Sequence, residues 1–274
     1  MTRFLALLLA LLATAAQAAE RVVLKLEPYR DTVAVHANVG GRDGFFIFDT
    51  GGGISLLTPR FAEQIGCKPW GRMTGFAMMG NRIDAPRCDE IPVAIGSAKL
   101  KAPVAGVYDV TSFFPKDAVP LDGLLALNLF DGRAITIDFR AQTLAIETPS
   151  SLRKTIRGAT EVPVRVAREA QGQALAVSVA VPTPQGRVWM ELDSGNNRTI
   201  LISKPYAALF GMDPEKKGPQ PIDFAVAGAI RVKGTAHASD MIIDGNLGTP
   251  FLKDTVVTID FASSRLWLRQ LPPE

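Results

Sequence analysis

Phe45-Phe46-Ile47-Phe48-Asp49-Thr50-Gly51 runs four bulky apolar residues into an acid, a hydroxyl and a glycine. An apolar run this short reads as a strand buried on both faces. A carboxylate at the end of such a strand loses hydration, a loss that only a partner or hydrogen-bond donors offset. Gly51, with Gly52 and Gly53 behind it, lets the backbone turn sharply and aim amide groups back at that carboxylate. Alone the stretch is ambiguous, because Asp-Thr-Gly is also a common solvated turn.

The pattern returns in Trp189-Met190-Glu191-Leu192-Asp193-Ser194-Gly195. The segment after each acid is also repeated: a short apolar strand, Pro59 or Pro205 at a helix start, and a helix over 59–65 or 205–210 stopped by Gly66 or Gly211. A third echo closes each copy. Asp122-Gly123-Leu124-Leu125-Ala126 leads to Ile135-Thr136-Ile137-Asp138-Phe139, and Asp244-Gly245-Asn246-Leu247-Gly248 leads to Val257-Thr258-Ile259-Asp260-Phe261. The chain is an internal duplication whose first copy is the longer, and such a repeat decides the architecture.

The paired signatures, apolar-Asp-Thr/Ser-Gly and then a glycine-framed apolar run before a short helix, resemble those of two-lobed aspartic peptidases with retropepsin-like lobes, of a bacterial secreted type. The resemblance covers nearly all of the chain after its first residues. It implies an all-β fold of two homologous retropepsin-like β-barrel lobes in a pepsin-like bilobal arrangement, with few short helices. The lobes would be residues 19–149 and 155–274, joined by a polar linker around Pro149 to Lys154.

The resemblance also implies a chemistry. Peptide hydrolysis without a metal or a covalent nucleophile needs a base for water and an acid for the leaving group. Two carboxyls a few ångströms apart supply both, because like charges that close cannot both ionise. Asp49 and Asp193, one from each lobe, are the expected pair, titrating jointly. Thr50 and Ser194 would hydrogen-bond across the axis between the lobes, and Gly51 and Gly195 would let backbone amides reach the acids. No cofactor is implied.

Five residues depart from the family pattern. Gly52 and Asn196 follow the glycines where a small residue such as Ala or Ser is usual. Glu191 and Asn246 stand where apolar residues are expected, and Ala126 replaces a glycine. Arg198 would lower the pair's proton affinity if turned inward, and is expected to point outward. These departures leave a second function open, a non-catalytic peptide-binding protein that keeps the cleft and its acids. A serine hydrolase is a poor fit, since Ser55 lacks the closing glycine of a nucleophile elbow. Gly51-Gly52-Gly53 lacks the Lys-Ser/Thr that a nucleotide loop carries.

Elsewhere the first copy alternates like a β protein over 22–26 and 32–39, with 40–44 reading as the connection to the strand that ends at Asp49. Its extra length holds a hairpin with arms over 73–79 and 82–86 and a two-residue turn at Gly80-Asn81. In the resembling family a hairpin here is the flap over bound peptide, and Phe76, Met78 and Met79 suit a flexible apolar lid.

Met1 to Ala18 reads as a secretory signal peptide: Arg3, an apolar run, then Ala16-Gln17-Ala18 before a cut at Ala19. The expected location is therefore periplasmic or secreted, with no membrane anchor after cleavage. Cys67 and Cys88 then sit in an oxidising compartment, where a disulfide is favoured over two separate thiols. His36 and His237 have no metal-ligand spacing to each other or to the cysteines, so no metal is expected. A net charge of +3 with scattered basic residues argues against nucleic acid. The expected partner is a peptide or unfolded protein. The built-in duplication removes any need for a dimer, so a monomer is expected.

Overall fold

The computed structural model describes residues 20–196 and 198–273. The expected signal peptide lies outside the described residues. The remainder is mostly strand, arranged as two barrel-like sheets and a third sheet that both copies build.

Each copy contains the same crossing. Strand Arg42–Asp49 runs parallel to Gly123–Ala126, with Asp49 opposite Ala126, while Ser55–Leu57 lies antiparallel along the other side of Gly123–Ala126. In copy two, Gly186–Leu192 runs parallel to Gly245–Leu247, and Ile200–Ser203 flanks the latter antiparallel. The central strands are buried along their whole length because they are covered on both faces. The acid that opens each third echo has a structural role in this crossing. Asp122 accepts a hydrogen bond from the Phe45 N–H at 3.0 Å, and Asp244 one from the Trp189 N–H at 3.1 Å. Each carboxylate thus pins the strand that carries its copy's Asp49 or Asp193.

The eight-stranded sheet of copy one closes on itself through Asn38↔Ala94 and Val39↔Val93. The seven-stranded sheet of copy two has no such closing pair among the described residues. The third sheet has the order Val22–Lys25, Thr143–Glu147, Ala134–Asp138, Thr255–Asp260, Arg265–Gln270, Thr160–Val162. Three strands come from each copy, and the central pairing is Thr136 opposite Thr258. Their hydroxyls meet at 3.1 Å in a buried position, where the repeat's two-fold axis crosses the sheet. One apolar core cluster runs through both copies, from Leu24 to Leu268. The lobes are therefore distinct as barrels and shared at their base.

Local readings of the sequence differ from the structure in four places. The turn into Arg42–Asp49 holds only Gly40 and Gly41, both at positive φ (63° and 86°), so Arg42 to Gly44 join the ladder. The stretch read as a polar linker is the helix Pro149–Thr155. Thr148 and Ser151 form a reciprocal capping box there, and Pro149 occupies a first-turn position where its missing N–H costs nothing. The first short helix ends at Gln64, and the second divides into Lys204–Ala207 and a 3-10 turn, Ala208–Phe210, before Gly211. The hairpin of copy one closes with a turn wider than Gly80-Asn81 alone.

Cys67 and Cys88 are bonded to each other, with 6.2 Å between Cα atoms and a sequence separation of 21. The bond ties the end of the first helix to the long strand Arg82–Ile95 that carries the hairpin. By the loop-entropy account, reduction should lower stability by roughly 3 kcal/mol. A urea titration with and without reductant measures this, and coincident curves would show that the closed loop contributes nothing.

Candidate active site

Asp49 and Asp193 come together where the loops of the two copies meet. The loops that carry them are locked by reciprocal hydrogen bonds. The Thr50 N–H donates to Ser194 Oγ at 3.0 Å, and the Ser194 N–H donates to Thr50 Oγ1 at 3.0 Å. Each hydroxyl passes its own proton further across: Thr50 Oγ1 donates to the Leu192 carbonyl at 2.7 Å, and Ser194 Oγ to the Phe48 carbonyl at 3.0 Å. Both side chains are buried, so every polar atom in the lock needs its partner. A fifth bond, from Thr32 Oγ1 to the Ser194 carbonyl at 2.9 Å, braces the second loop from the first lobe. Thr32 sits at a strand start with no sequence signal to mark it.

The glycines lie where side chains do not fit. A Cβ on Gly51 would stand 2.5 Å from Asp193 Cγ, and one on Gly195 would stand 2.7 Å from Asp49 Oδ2. Each glycine therefore packs against the acid of the opposite lobe while donating its N–H to its own, at 2.9 Å to Asp49 Oδ1 and 2.8 Å to Asp193 Oδ1. Asp49 lies close enough to Asp193 for the charge of one to act on the other. Burial first, and then the Asp193 charge, hold the Asp49 carboxyl well above the usual carboxylate range.

The second lobe adds polar groups that the first lacks. Asn246 is fully buried and donates from Nδ2 to Asp193 Oδ2 at 2.7 Å. The Asn196 N–H reaches Asp193 Oδ1 at 3.2 Å. Glu191, opposite Asn246 in the parallel pairing, is raised well above the usual carboxylate range by burial and then by the charges of Asp193 and Asp49. Arg198 points outward, exposed and paired with Asp31 at 3.2 Å.

The hairpin of copy one reaches the second copy at its tip. Its arms are Trp70–Phe76 and Arg82–Ile95, closed by Phe76 opposite Arg82, so the turn spans residues 77–81 instead of the pair Gly80-Asn81. The Ala77 N–H donates to the Asn81 carbonyl and the Gly80 N–H to the Ala77 carbonyl, which fills the wider turn's own bonds. Asp84 on the returning arm gathers Arg72, Thr74 and Arg82 and fixes this register. Met78 and Met79 thus lie in the tip instead of an arm. The Met78 carbonyl accepts the Ile242 N–H at 2.9 Å, and its sulfur lies 3.5 Å from Asn246 Nδ2. Met78 therefore reaches the second acid's neighbourhood, while Phe76 (61% exposed) and Met79 (41%) face solvent.

Ser55 is 1% exposed and saturated, donating to Asn128 Oδ1 at 2.8 Å and accepting the Ala126 N–H at 3.0 Å. It holds the first lobe together and is not a nucleophile. No cluster suited to a metal ion occurs among the described residues.

Residues 35–129 match the family model for aspartyl proteases, a span that contains Asp49 and ends before Asp193. Among solved structures the chain is similar to basic 7S globulin from soybean, at 9% identity and a TM-score of 0.60, over 92% of this chain and 95% of that one. It is also similar to conglutin gamma, a basic 7S globulin from lupine seeds, at 10% identity and a TM-score of 0.54, over 91% and 95%. At such identities the likeness concerns the fold alone, which is mostly β, two-lobed and aspartic-protease-like. No curated protein matches the chain.

Proposed function

We propose that the chain is an aspartic endopeptidase that hydrolyses extended peptides held between the lobes, acting as a single chain outside the cytoplasm without a cofactor. The observation that carries this reading is the reciprocal Thr50–Ser194 lock, which brings the two acid-bearing loops face to face. A pair with one proton can bind a water between the carboxyls. The ionised acid takes a proton from that water as its oxygen attacks the peptide carbonyl carbon, and the protonated acid gives its proton to the carbonyl oxygen. The neutral diol then collapses: one acid protonates the leaving nitrogen, the other recovers a hydroxyl proton, and the C–N bond breaks. The closed hairpin would hold the peptide's backbone and keep bulk water out.

The pH dependence comes from the raised Asp49 carboxyl. The working form holds one proton on the pair. It is lost as pH rises through the raised Asp49 value, about 8. The chain beginning at Ala19, incubated with a reduced, unfolded protein from about pH 3 to about pH 10, should keep cleaving through neutral pH and lose activity as pH rises past about 8. Absence of cleavage across that range would reject the hydrolytic reading.

A peptide-binding protein without turnover is the second reading. It is favoured by the crowding of Asp193 by Asn246, Glu191 and the hairpin tip. Protection of a bound peptide from exchange with no cleavage would select it.

A further inference from the structure

The two copies differ most sharply at one position beside the acids. Leu124 in copy one corresponds to Asn246 in copy two, opposite Ile47 and Glu191 in the two parallel pairings. Leu124 gives Asp49 an apolar neighbour, since a Cβ on Gly52 would touch both Leu124 Cδ2 and Asp49 Oδ2. Asn246 gives Asp193 a donor. Its orientation is set by what it accepts: Asn196 Nδ2 donates to the Thr199 carbonyl at 2.9 Å and to Asn246 Oδ1 at 2.7 Å. With its oxygen committed to a donor, Asn246 must turn its NH2 toward Asp193 Oδ2 and the Met78 sulfur.

The two carboxyls therefore differ in what surrounds them. Asp193 accepts on Oδ1 from the N–H groups of Gly195 and Asn196, and on Oδ2 from Asn246. Both of its oxygens are engaged by donors, which favours the charged form. Asp49 accepts from the Gly51 N–H, and among the described residues no side-chain donor other than its partner acid reaches it. The titratable groups facing Asp193 are Asp49 and Glu191, with Glu169 beyond Glu191, and Arg198 is turned away to Asp31.

We infer that Asn246 is a positioning residue that makes Asp193 the ionised member of the pair and leaves the shared proton on Asp49, with Met78 tying this assignment to the closed hairpin. In the hydrolytic cycle Asp193 then takes the proton from water and Asp49 Oδ2 protonates the carbonyl oxygen. The kinetic consequence rests on the proposed peptidase reading, whereas the placement of the proton can be measured without turnover.

The test is a carboxyl 13C NMR titration of the full chain labelled at aspartate, with signals assigned through Asp49→Asn and Asp193→Asn. In the unsubstituted protein the Asp49 carbon should report a protonated acid at pH values where the Asp193 carbon reports a carboxylate. Asn246→Leu, which copies the residue of the first lobe, should narrow the gap between the two midpoints by about one pH unit, roughly tenfold in relative proton affinity. Asn246→Asp keeps the shape and replaces the donor with an acceptor, and should narrow it at least as far. The inference is overturned if the unsubstituted protein holds the proton on Asp193, or if both variants fold and leave the gap unchanged. A gap that moves in a protein that never cleaves peptide would keep the inference and remove the peptidase reading. Cleavage with an unmoved gap would do the opposite.

Discussion

Exchange of Asp49 for Asn is expected to abolish cleavage and, in the same protein, to raise stability near neutral pH. The first effect comes from the chemistry, because an amide cannot pass a proton to the carbonyl oxygen and take it back. A loss of at least about 1,000-fold is expected, comparable to removing a general acid–base group together with its partner's function. The second comes from linkage. The Asp49 carboxyl is raised in the folded chain by burial and by Asp193. The folded state therefore binds more protons than the unfolded state above the ordinary carboxylate range. Stability is highest below that range and declines as pH climbs toward the raised value. Asn carries no charge to desolvate, so the variant escapes this decline and should be more stable by on the order of 1 to 3 kcal/mol at about pH 8, with little difference in acid. Melting curves at several pH values read the second effect and a peptide assay the first. Loss of cleavage accompanied by lower stability at every pH would mean that the substitution damages the fold, and the catalytic assignment would have to rest on Asp193→Asn.

Gly51→Ala and Gly195→Ala carry the second large expectation. The new methyl would stand 2.5 Å from Asp193 Cγ in one case and 2.7 Å from Asp49 Oδ2 in the other, both inside any tolerated contact. The atoms in the way belong to the acids themselves. Relief requires either turning an acid off its backbone N–H or spreading the two loops and breaking the Thr50–Ser194 lock. Overpacking of this kind costs about 1 to 3 kcal/mol in stability. Displacing a reacting group by about 1 Å costs about 100-fold or more in rate. Both variants should therefore lose activity far beyond their loss of stability, and do so symmetrically. A Gly51→Ala protein with unaltered turnover would show that the second acid is not where the chemistry happens.

Much of this arrangement is legible in the chain itself because it is written twice. The matched runs ending at Asp49 and Asp193 and the matched closing echoes, including Thr136 and Thr258, carry the two-copy architecture. A hydroxyl directly after each acid is what reciprocal locking requires. The shared sheet is less legible, since pairing Val22–Lys25 with Thr143–Glu147, or Ala134–Asp138 with Thr255–Asp260, joins segments far apart in sequence. Alternation reveals a strand, never its neighbour. Turn widths are hard to read where a glycine competes with its flanks: Gly40-Gly41 suffices for one turn, whereas Gly80-Asn81 lies within the wider turn over 77–81 whose register Asp84 sets from the arms. Pro149 to Lys154 looks like a linker by composition, yet Thr148 and Ser151 cap it into a helix. Asn246 is visible in the sequence only as a polar residue in an apolar frame. Its meaning depends on Asn196, Met78 and Asp193, which only the fold assembles.

The pairing of Thr136 with Thr258 puts a symmetry axis inside one polypeptide. In an assembly of identical subunits any change beside such an axis is made on both sides at once, so the two acids must remain chemical twins. Here each half is encoded separately. Leucine can stand by one acid and asparagine by the other, with isoleucine paired opposite that leucine and glutamate opposite that asparagine. Fusion thus frees the two carboxyls to specialise, which a symmetry-bound pair could achieve only by momentary distortion.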